Sequence, residues 1–560
     1  MAVLLLSQAG AGKTERAQRV LLDCKQADPL AKVWVLLSSE RQIIDFRRRF
    51  IAETPVSFNV EYFNFYNLYR RILSTARQPG RALFASAQSA LIRALLRSRF
   101  ADSPVFGAII GAPGLARAVG GLIDELKQHR IQPEDFFDAA SNRRELELAG
   151  MYKAYQEVLI AHDLIDREGE GWLAVEALQQ DADLVRDVRL MVVDGYDQFN
   201  PLQAALLAEL DRQVGEMLIT LTTIPGGEAT LGRRFQQARE RLGAAFGARL
   251  TEQFIERDSA AVTPPAVWWL EAPDPAAEAA AVMRRVKRRL VEGCPPEALM
   301  IAVRDWRRYG GHLATAARLY GVPLALHYGA ALAETPCAAA LIDLLGLHGG
   351  FRRREVLDAL RSPYFAAPGL DAAAVDRLEA ISLAARVIGG REEWLDAVRF
   401  ASRPSVETDD EFDAARTLDA AESERLARAL EAFFDGVTPP AEGEGAGYVR
   451  WLERLIGEDA RDPDDADDGA PESLAYTLNL PAQIRLQPPE QAARDLTAMK
   501  ALKDILRGMI ASAALSAAVG LPQRLDRAGF LTDFLGALRS LGAKLGGDGA
   551  WIELRWDAPQ

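Results

Sequence analysis

Eight consecutive residues have the types and spacing of a loop that binds nucleotide phosphates: Ser7, Gln8, Ala9, Gly10, Ala11, Gly12, Lys13 and Thr14. Gly10 and Gly12 let the backbone turn its N–H groups inward around phosphate oxygens, Lys13 reaches the β and γ phosphates, and Thr14 offers a hydroxyl to Mg²⁺. Ser7 stands where the first glycine of this pattern is usual. Asp194, at the end of the apolar run 188–193, is a second candidate ligand for the metal. Alone it would read as a carboxylate capping a turn, but in one sheet with the loop it supports Mg²⁺. The expected bound groups are therefore ATP and Mg²⁺.

Such a loop needs a strand to launch it and a helix to receive it. Residues 3–6 are a short apolar run of buried-strand type, and helix-forming sequence follows from about 15 to 22. A second strand over 33–37 ends in Ser38 and Ser39, with a helix from near Arg41; an alternating strand over 58–65 precedes a helix over 66–75. From 80 to 184 the pattern is helical, with stripes such as Leu91, Leu95, Leu96 and Met151, Tyr155, Leu159. Strands at 188–193 and 217–221 complete the first α/β domain. A linker near 262–265 leads to a strand at 267–270, a helix at 276–292 and a strand at 299–303. A helix at 309–320, a strand at 324–327 and a helix after Pro336 follow. Beyond Phe351 everything reads as helix, apart from an acidic flexible loop at 458–472. The expected fold class is α/β, with two parallel-sheet domains, each carrying a large all-helical insertion. Residues 1–79 and 185–262 build the first domain and 80–184 its insertion; 263–350 form the second and 351–560 its helical part.

A chain of 560 residues suggests about three or four domains. No secretory signal and no membrane-length apolar run is recognisable, which points to a cytoplasmic protein without a membrane partner. Cys24, Cys294 and Cys337 are far apart, which fits a reducing compartment and excludes a four-cysteine cluster within this sequence. His129, His162, His312, His327 and His348 show no ligand spacing. A net charge of −13 argues against chain-wide attraction to nucleic acid. Local basic clusters at 47–49, 70–71, 284–289 and 352–354 are dense enough to meet phosphates, or are solvated helix faces balanced by nearby acids.

Together these features resemble superfamily 1 helicases of the UvrD/Rep type, in which two P-loop NTPase (RecA-like) domains each carry a helical insertion. The loop from Ser7 to Thr14 is similar to that family's first motif. Ser38 and Ser39 end the second strand where the next motif contacts single-stranded DNA, and the stretch from Tyr62 to Leu68 resembles its T-F-H-x-L motif. Phe63, Phe65 and Arg304 are further DNA-contact candidates, the aromatics by stacking on bases. Within the superfamily the chain looks most like AddB, the second subunit of the AddAB helicase–nuclease. It has no glutamine motif upstream of the loop. Its run from Asp194 to Gln203 resembles D-G-F-x-x-F-x-P-x-Q, and 301–305, 320–323 and 332–336 are similar to the start of the second motor-like domain of AddB.

The resemblance implies a DNA-binding scaffold subunit for double-strand break repair and recombination, with an AddA-like helicase–nuclease as partner. It also implies weak or no ATP hydrolysis. Gly195 stands where helicases carry a water-orienting glutamate, and a glycine cannot polarise water. The arginine-bearing motif has no counterpart at 270–275, and Thr222, Thr223, Ile224 and Pro225 replace a glutamine sensor. The alternative is an active DNA-dependent ATPase or translocase in which Asp197 substitutes for the glutamate; a weaker third reading is a P-loop regulator without DNA. The nuclease centre and iron–sulfur cluster of AddB proteins are not recognisable, so the sequence reads as the helicase-like half of such a protein or as a shortened relative.

Overall fold

Strands that alternate side chains between two faces become continuously apolar only when both faces are covered. The first four long strands of the chain obey that rule. In the computed structural model, which describes residues 1–78, 80–83, 85–224, 229–255, 266–324, 332–402, 418–457, 476–521 and 524–544, they are β1 (Ala2–Ser7), β2 (Lys32–Leu37), β6 (Val188–Asp194) and β7 (Glu216–Thr222). With β3 (Val60–Phe63) and β8 (Leu250–Ile255) they form a six-stranded sheet, ordered β3-β2-β6-β7-β1-β8, in which every pairing is parallel. One face of the sheet, with Leu4, Leu6, Trp34, Val193 and Ile219, packs against α3 (Phe65–Thr75), α8 (Arg167–Gln180), α9 (Pro201–Gln213) and α10 (Ala229–Phe246). The other face, with Leu5, Val35, Leu37, Val192 and Leu218, packs against α1 (Lys13–Ala27) and α2 (Glu40–Glu53).

The strand β8 is not signalled by the sequence. It reads Leu-Thr-Glu-Gln-Phe-Ile, and the four central side chains are exposed, as befits an edge strand beside β1. The first sheet is therefore completed by three late strands, not the two expected.

Between β3 and β6 lie α4 (Ala85–Arg99), α5 (Pro113–Gln128), α6 (Pro133–Ala139), α7 (Arg143–Ala161) and α8, and the short strands β4 (Arg81–Ala82) and β5 (Leu164–Ile165), paired in parallel, so this segment is mainly rather than wholly helical. The helical stripes read from the sequence form its core: Leu91, Leu95, Leu96, Met151, Tyr155 and Leu159 are all buried. Leu515, in the last turn of the helix Pro489–Ala518, joins the same cluster.

The chain divides into two units, Met1–Pro264 with Ala511–Gln523, and Pro265–Ile510 with Arg524–Gln560. The second unit departs from expectation. Its helices α11 (Pro275–Val291) and α12 (Trp306–Tyr320) share a cluster of Met283, Leu313 and Ala317, which Val322 beyond the end of α12 joins. The expected strands at 267–270 and 299–303 are not in any ladder among the described residues, and 325–327 lie outside them. Local apolar runs do not make strands without neighbours to take their N–H and C=O groups. A second sheet domain is thus not seen among the described residues. Among the described residues the remainder of the unit is mainly helical, around a core that includes Trp394, Phe434, Tyr448 and Phe530, with one short antiparallel strand pair. The linker at 262–265, the acidic stretch 458–472 and the final run 551–560 lie outside the described residues.

Candidate nucleotide-binding site

The loop leaves β1 at its carboxyl end and re-enters regular structure at Lys13. Ser7 is buried, with its hydroxyl on the Gln8 carbonyl at 3.2 Å, and its own carbonyl accepts from the Thr223 N–H at 2.8 Å, which ties the loop to the end of β7. Gly10 and Gly12 have φ of 77° and 82°, in the left-handed region that side chains resist. The Ala11 N–H is used inside the loop, donating to the Gln8 carbonyl at 3.2 Å. Gly12 caps α1 without a side-chain hydrogen bond, in contrast to α2, α3, α8 and α9, whose caps are Ser39, Asn64, Asp166 and Asn200. The first-turn amides of α1 therefore have no capping side chain to satisfy them, and they carry the positive end of the helix dipole. An anion placed there meets both conditions.

The strand order brings Asp194 to the same end of the sheet. β7 lies between β1 and β6, so the carboxyl end of β6 stands one strand removed from the loop. Thr14 Oγ1 donates to Asp194 Oδ2 at 2.9 Å, and Thr220 Oγ1 donates to Asp194 Oδ1. Asp194 is 3% exposed. A carboxylate fixed by two hydroxyls and facing the threonine of the loop is a donor set of hard oxygens, which suits Mg²⁺. The residues thus fit the expected ion and phosphate chain: Thr14 and Asp194 would hold the metal, and the loop amides with Lys13 the phosphates. Among the described residues no cluster of three or more His, Cys, Asp or Glu side chains offers another metal site.

The position after Asp194 is Gly195, with φ of 80°. The next residues are engaged elsewhere. Tyr196 donates its hydroxyl to the Leu37 carbonyl at 2.8 Å, and burial pushes that hydroxyl well above its ordinary pKa. Its ring lies 5.5 Å from Phe199 and 5.1 Å from Phe65. Asp197 is paired with Arg234 of α10 at 3.0 Å.

The DNA-contact candidates separate. Ser38 and Ser39 are exposed at the end of β2, where Ser39 caps α2. Phe63 and Phe65 are buried: Phe63 lies edge-on to Trp34 at 5.4 Å, and Phe65 belongs to the Tyr196–Phe199 cluster. Neither ring is free to stack on a base, because strand alternation and the start of α3 turn both into the core; this corrects the reading of both as base contacts. Arg304 is exposed, in the second unit.

Thr220, Arg234 and Gln42 are not singled out by the sequence. Thr220 leaves one signal, a lone hydroxyl inside the apolar run of β7. Arg234 leaves none, since it acts on a residue more than thirty positions away, and Gln42 leaves none because its place beside Gly195 is set by the packing of α2.

Residues 4–239 match the sequence model of a family described as AddB, N-terminal. Three relatives, each named as the B-type subunit of an ATP-dependent helicase/deoxyribonuclease, are similar to the chain. The one from Moorella thermoacetica is 26% identical over 281 residues, covering 44% of this chain and 24% of the relative. That from Symbiobacterium thermophilum is 23% identical over 394 residues, covering 61% and 33%. That from Pelotomaculum thermopropionicum is 26% identical over 234 residues, covering 40% and 20%. The matched part therefore spans a third or less of the length of these relatives. The resemblance to AddB read from the motifs is borne out by both comparisons. No helix among the described residues is long and apolar enough to cross a membrane.

Proposed function

We propose that this chain is a nucleotide-holding, DNA-engaging subunit of an AddAB-type helicase–nuclease, with weak or no ATP hydrolysis of its own. The observation that carries the reading is the Thr14–Asp194 hydrogen bond at 2.9 Å beneath the uncapped N-terminus of α1. The loop amides and Lys13 would hold the phosphates of ATP or ADP, and Thr14 and Asp194 would offer oxygen ligands to a Mg²⁺ that neutralises phosphate charge. Phosphoryl transfer to water further requires a group that orients the water and positive charge on the transition state. Gly195 supplies no such group, and the Asp197 carboxylate is held by Arg234. Binding is thereby retained and turnover lost.

The names of the relatives support a role inside a larger assembly, in which an AddA-like subunit supplies the motor and DNA is the shared substrate. Ser38 and Ser39 remain the DNA-contact residues on this unit, and repair of double-strand breaks is the process such an assembly serves. Titration of Mg²⁺–ATP and Mg²⁺–ADP against the intact chain and Lys13→Ala, together with phosphate release with and without single-stranded DNA, tests the reading. Binding that depends on Lys13 with turnover at background supports it. DNA-stimulated turnover lost in Lys13→Ala overturns the silent-motor part, and absence of nucleotide binding overturns the whole.

A further inference from the structure

Two adjacent indoles of the second unit stand in water. Trp268 is 71% exposed and Trp269 92%, in a segment that joins no ladder among the described residues. A tryptophan carries a large apolar area, and two of them left uncovered side by side mark a surface that meets a ligand. Trp268 is held in place: the Arg285 guanidinium lies over its ring, with 4.8 Å from Cζ to the centroid. A stacked guanidinium fixes the plane of the indole and keeps its own N–H donors at the ring edge. Arg285 belongs to α11, whose basic residues divide. Arg284 and Lys287 turn to α12, where Arg284 donates to the Tyr320 hydroxyl at 3.0 Å and Lys287 to the Tyr320 carbonyl at 2.5 Å. Arg285, Arg288 and Arg289, at helical i, i+3 and i+4 spacing, are exposed. Arg289 pairs with Glu292 at 3.2 Å, but neither Arg285 nor Arg288 has a carboxylate partner among the described residues. Across 266–324 Lys and Arg outnumber Asp and Glu, in a chain whose net charge is −13.

We propose that Trp268, Trp269, Arg285 and Arg288 form a platform for single-stranded DNA, on which the indoles stack against bases and the two guanidinium groups take phosphates. Single strands present aromatic planes and anions together, and this surface offers the complement of both. A duplex hides its base faces within the stack, so the platform selects single strands. Stacking on an indole is open to every base, so it does so without reading sequence. The proposal rests on the DNA-engaging part of the function proposed above and adds a contact surface in the second unit, which owes nothing to the nucleotide loop or to Ser38 and Ser39.

The test is fluorescence anisotropy of a labelled oligothymidine titrated with the full chain over a range of salt, beside an abasic oligomer of the same length and a duplex. It uses the wild type, Trp268→Ala, Trp269→Ala, the double replacement Trp268→Phe with Trp269→Phe, and Arg288→Gln, with circular dichroism melts to confirm folding. The wild type binds oligothymidine more tightly than the abasic oligomer or the duplex. Each Trp→Ala change weakens oligothymidine about five- to thirtyfold, within the worth of a base stacked on an aromatic side chain, and narrows the gap to the abasic oligomer while leaving the salt slope unchanged. The double Phe protein keeps most of the affinity, since it keeps two aromatic planes. Arg288→Gln weakens both single-stranded oligomers alike and lowers the slope of log affinity against log salt by about 0.7, the value of one phosphate contact. Wild-type affinity in both Trp→Ala proteins overturns the proposal, as does an equal loss for oligothymidine and the abasic oligomer. If the wild type binds no oligonucleotide, the DNA reading fails and the platform falls with it; binding that is indifferent to Trp268 and Trp269 leaves that reading standing and removes only the platform.

Discussion

Arg234 of α10 holds the carboxylate of Asp197 at 3.0 Å, on the turn that follows Asp194. Both side chains are about half exposed. The pair contributes little to stability, since exposed ion pairs are worth about 0–1 kcal/mol. Its consequence is one of direction: the acid that follows Gly195 is turned toward a helix and an arginine. Asp197→Asn should therefore leave phosphate release at the wild-type background in assays with single-stranded DNA. A fall of tenfold or more from a measurable rate would instead make Asp197 the missing base.

The threonine hydroxyl and the carboxylate of the site act as one unit. Asp194→Asn should lower affinity for Mg²⁺–ATP by tenfold or more, a loss of about 1.4 kcal/mol, yet change binding of metal-free nucleotide much less. Isothermal titration with Mg²⁺ and with a chelator separates the two. Equal loss under both conditions would show that Asp194 only braces Thr14 and Thr220.

Phe65 lies at the centre of an aromatic cluster with Tyr69, Tyr196 and Phe199, at centroid distances from 5.1 to 6.4 Å. Phe65→Ala removes a buried ring and should destabilise the first unit by about 3–5 kcal/mol. Phe65→Leu should cost less and leave oligonucleotide affinity at the wild-type value. A selective loss of single-stranded DNA binding in a well-folded Phe65→Leu protein would restore the ring as a base contact.

Within the helical insertion, Lys127 Nζ and Asp166 Oδ2 are 2.6 Å apart at 4% and 1% exposure, and Asp166 also accepts from the Tyr155 hydroxyl at 3.0 Å and the Gly169 N–H at 2.7 Å. Asp166→Ala strands a buried ammonium group and should destabilise the unit by about 3–5 kcal/mol. The double replacement Lys127→Met with Asp166→Leu should be much milder, because neither charge is then buried alone. Denaturant melts of the three proteins read the difference.

Glu168 gives a pH prediction. It is 4% exposed, and burial raises its carboxyl above the ordinary 4.5 despite hydrogen bonds from Gln128 and the Tyr66 hydroxyl. A raised acid binds its proton more tightly in the folded state, so the stability it contributes is present below 4.5 and lost as pH rises through the folded value. Glu168→Gln keeps an acceptor for both partners without the charge. The melting temperature of the variant should match the wild type near pH 4.5 and exceed it at about pH 8, well above the folded value. A variant less stable than the wild type at the higher pH would mean that the charge itself is favourable there.

The loop was legible because its chemistry is local. Two glycines, a lysine and a threonine at fixed spacing after an apolar strand determine backbone conformation and helix start together, and the structure places Gly10 and Gly12 at positive φ as that pattern requires. The interior strands were legible for the same reason: runs such as Val33 to Leu37 are apolar on both faces, and only a doubly covered sheet makes use of that. Helical stripes such as Leu91, Leu95 and Leu96 marked the insertion. The edge strand β8 escaped because exposure leaves it without an apolar period.

What only the tertiary structure decided is which distant residues meet. Phe63 and Phe65 have the composition of a stacking surface, but the pleat of β3 and the onset of α3 decide that they face the core. Asp197 is an acid at a plausible position, and α10 decides that it faces Arg234. The glycine at 195 is an absence in the sequence; the packing of α2 makes it the place of Gln42. Sequence spacing governs contacts within a turn or a strand, whereas contacts across the sheet depend on strand order and helix placement, which no local period encodes.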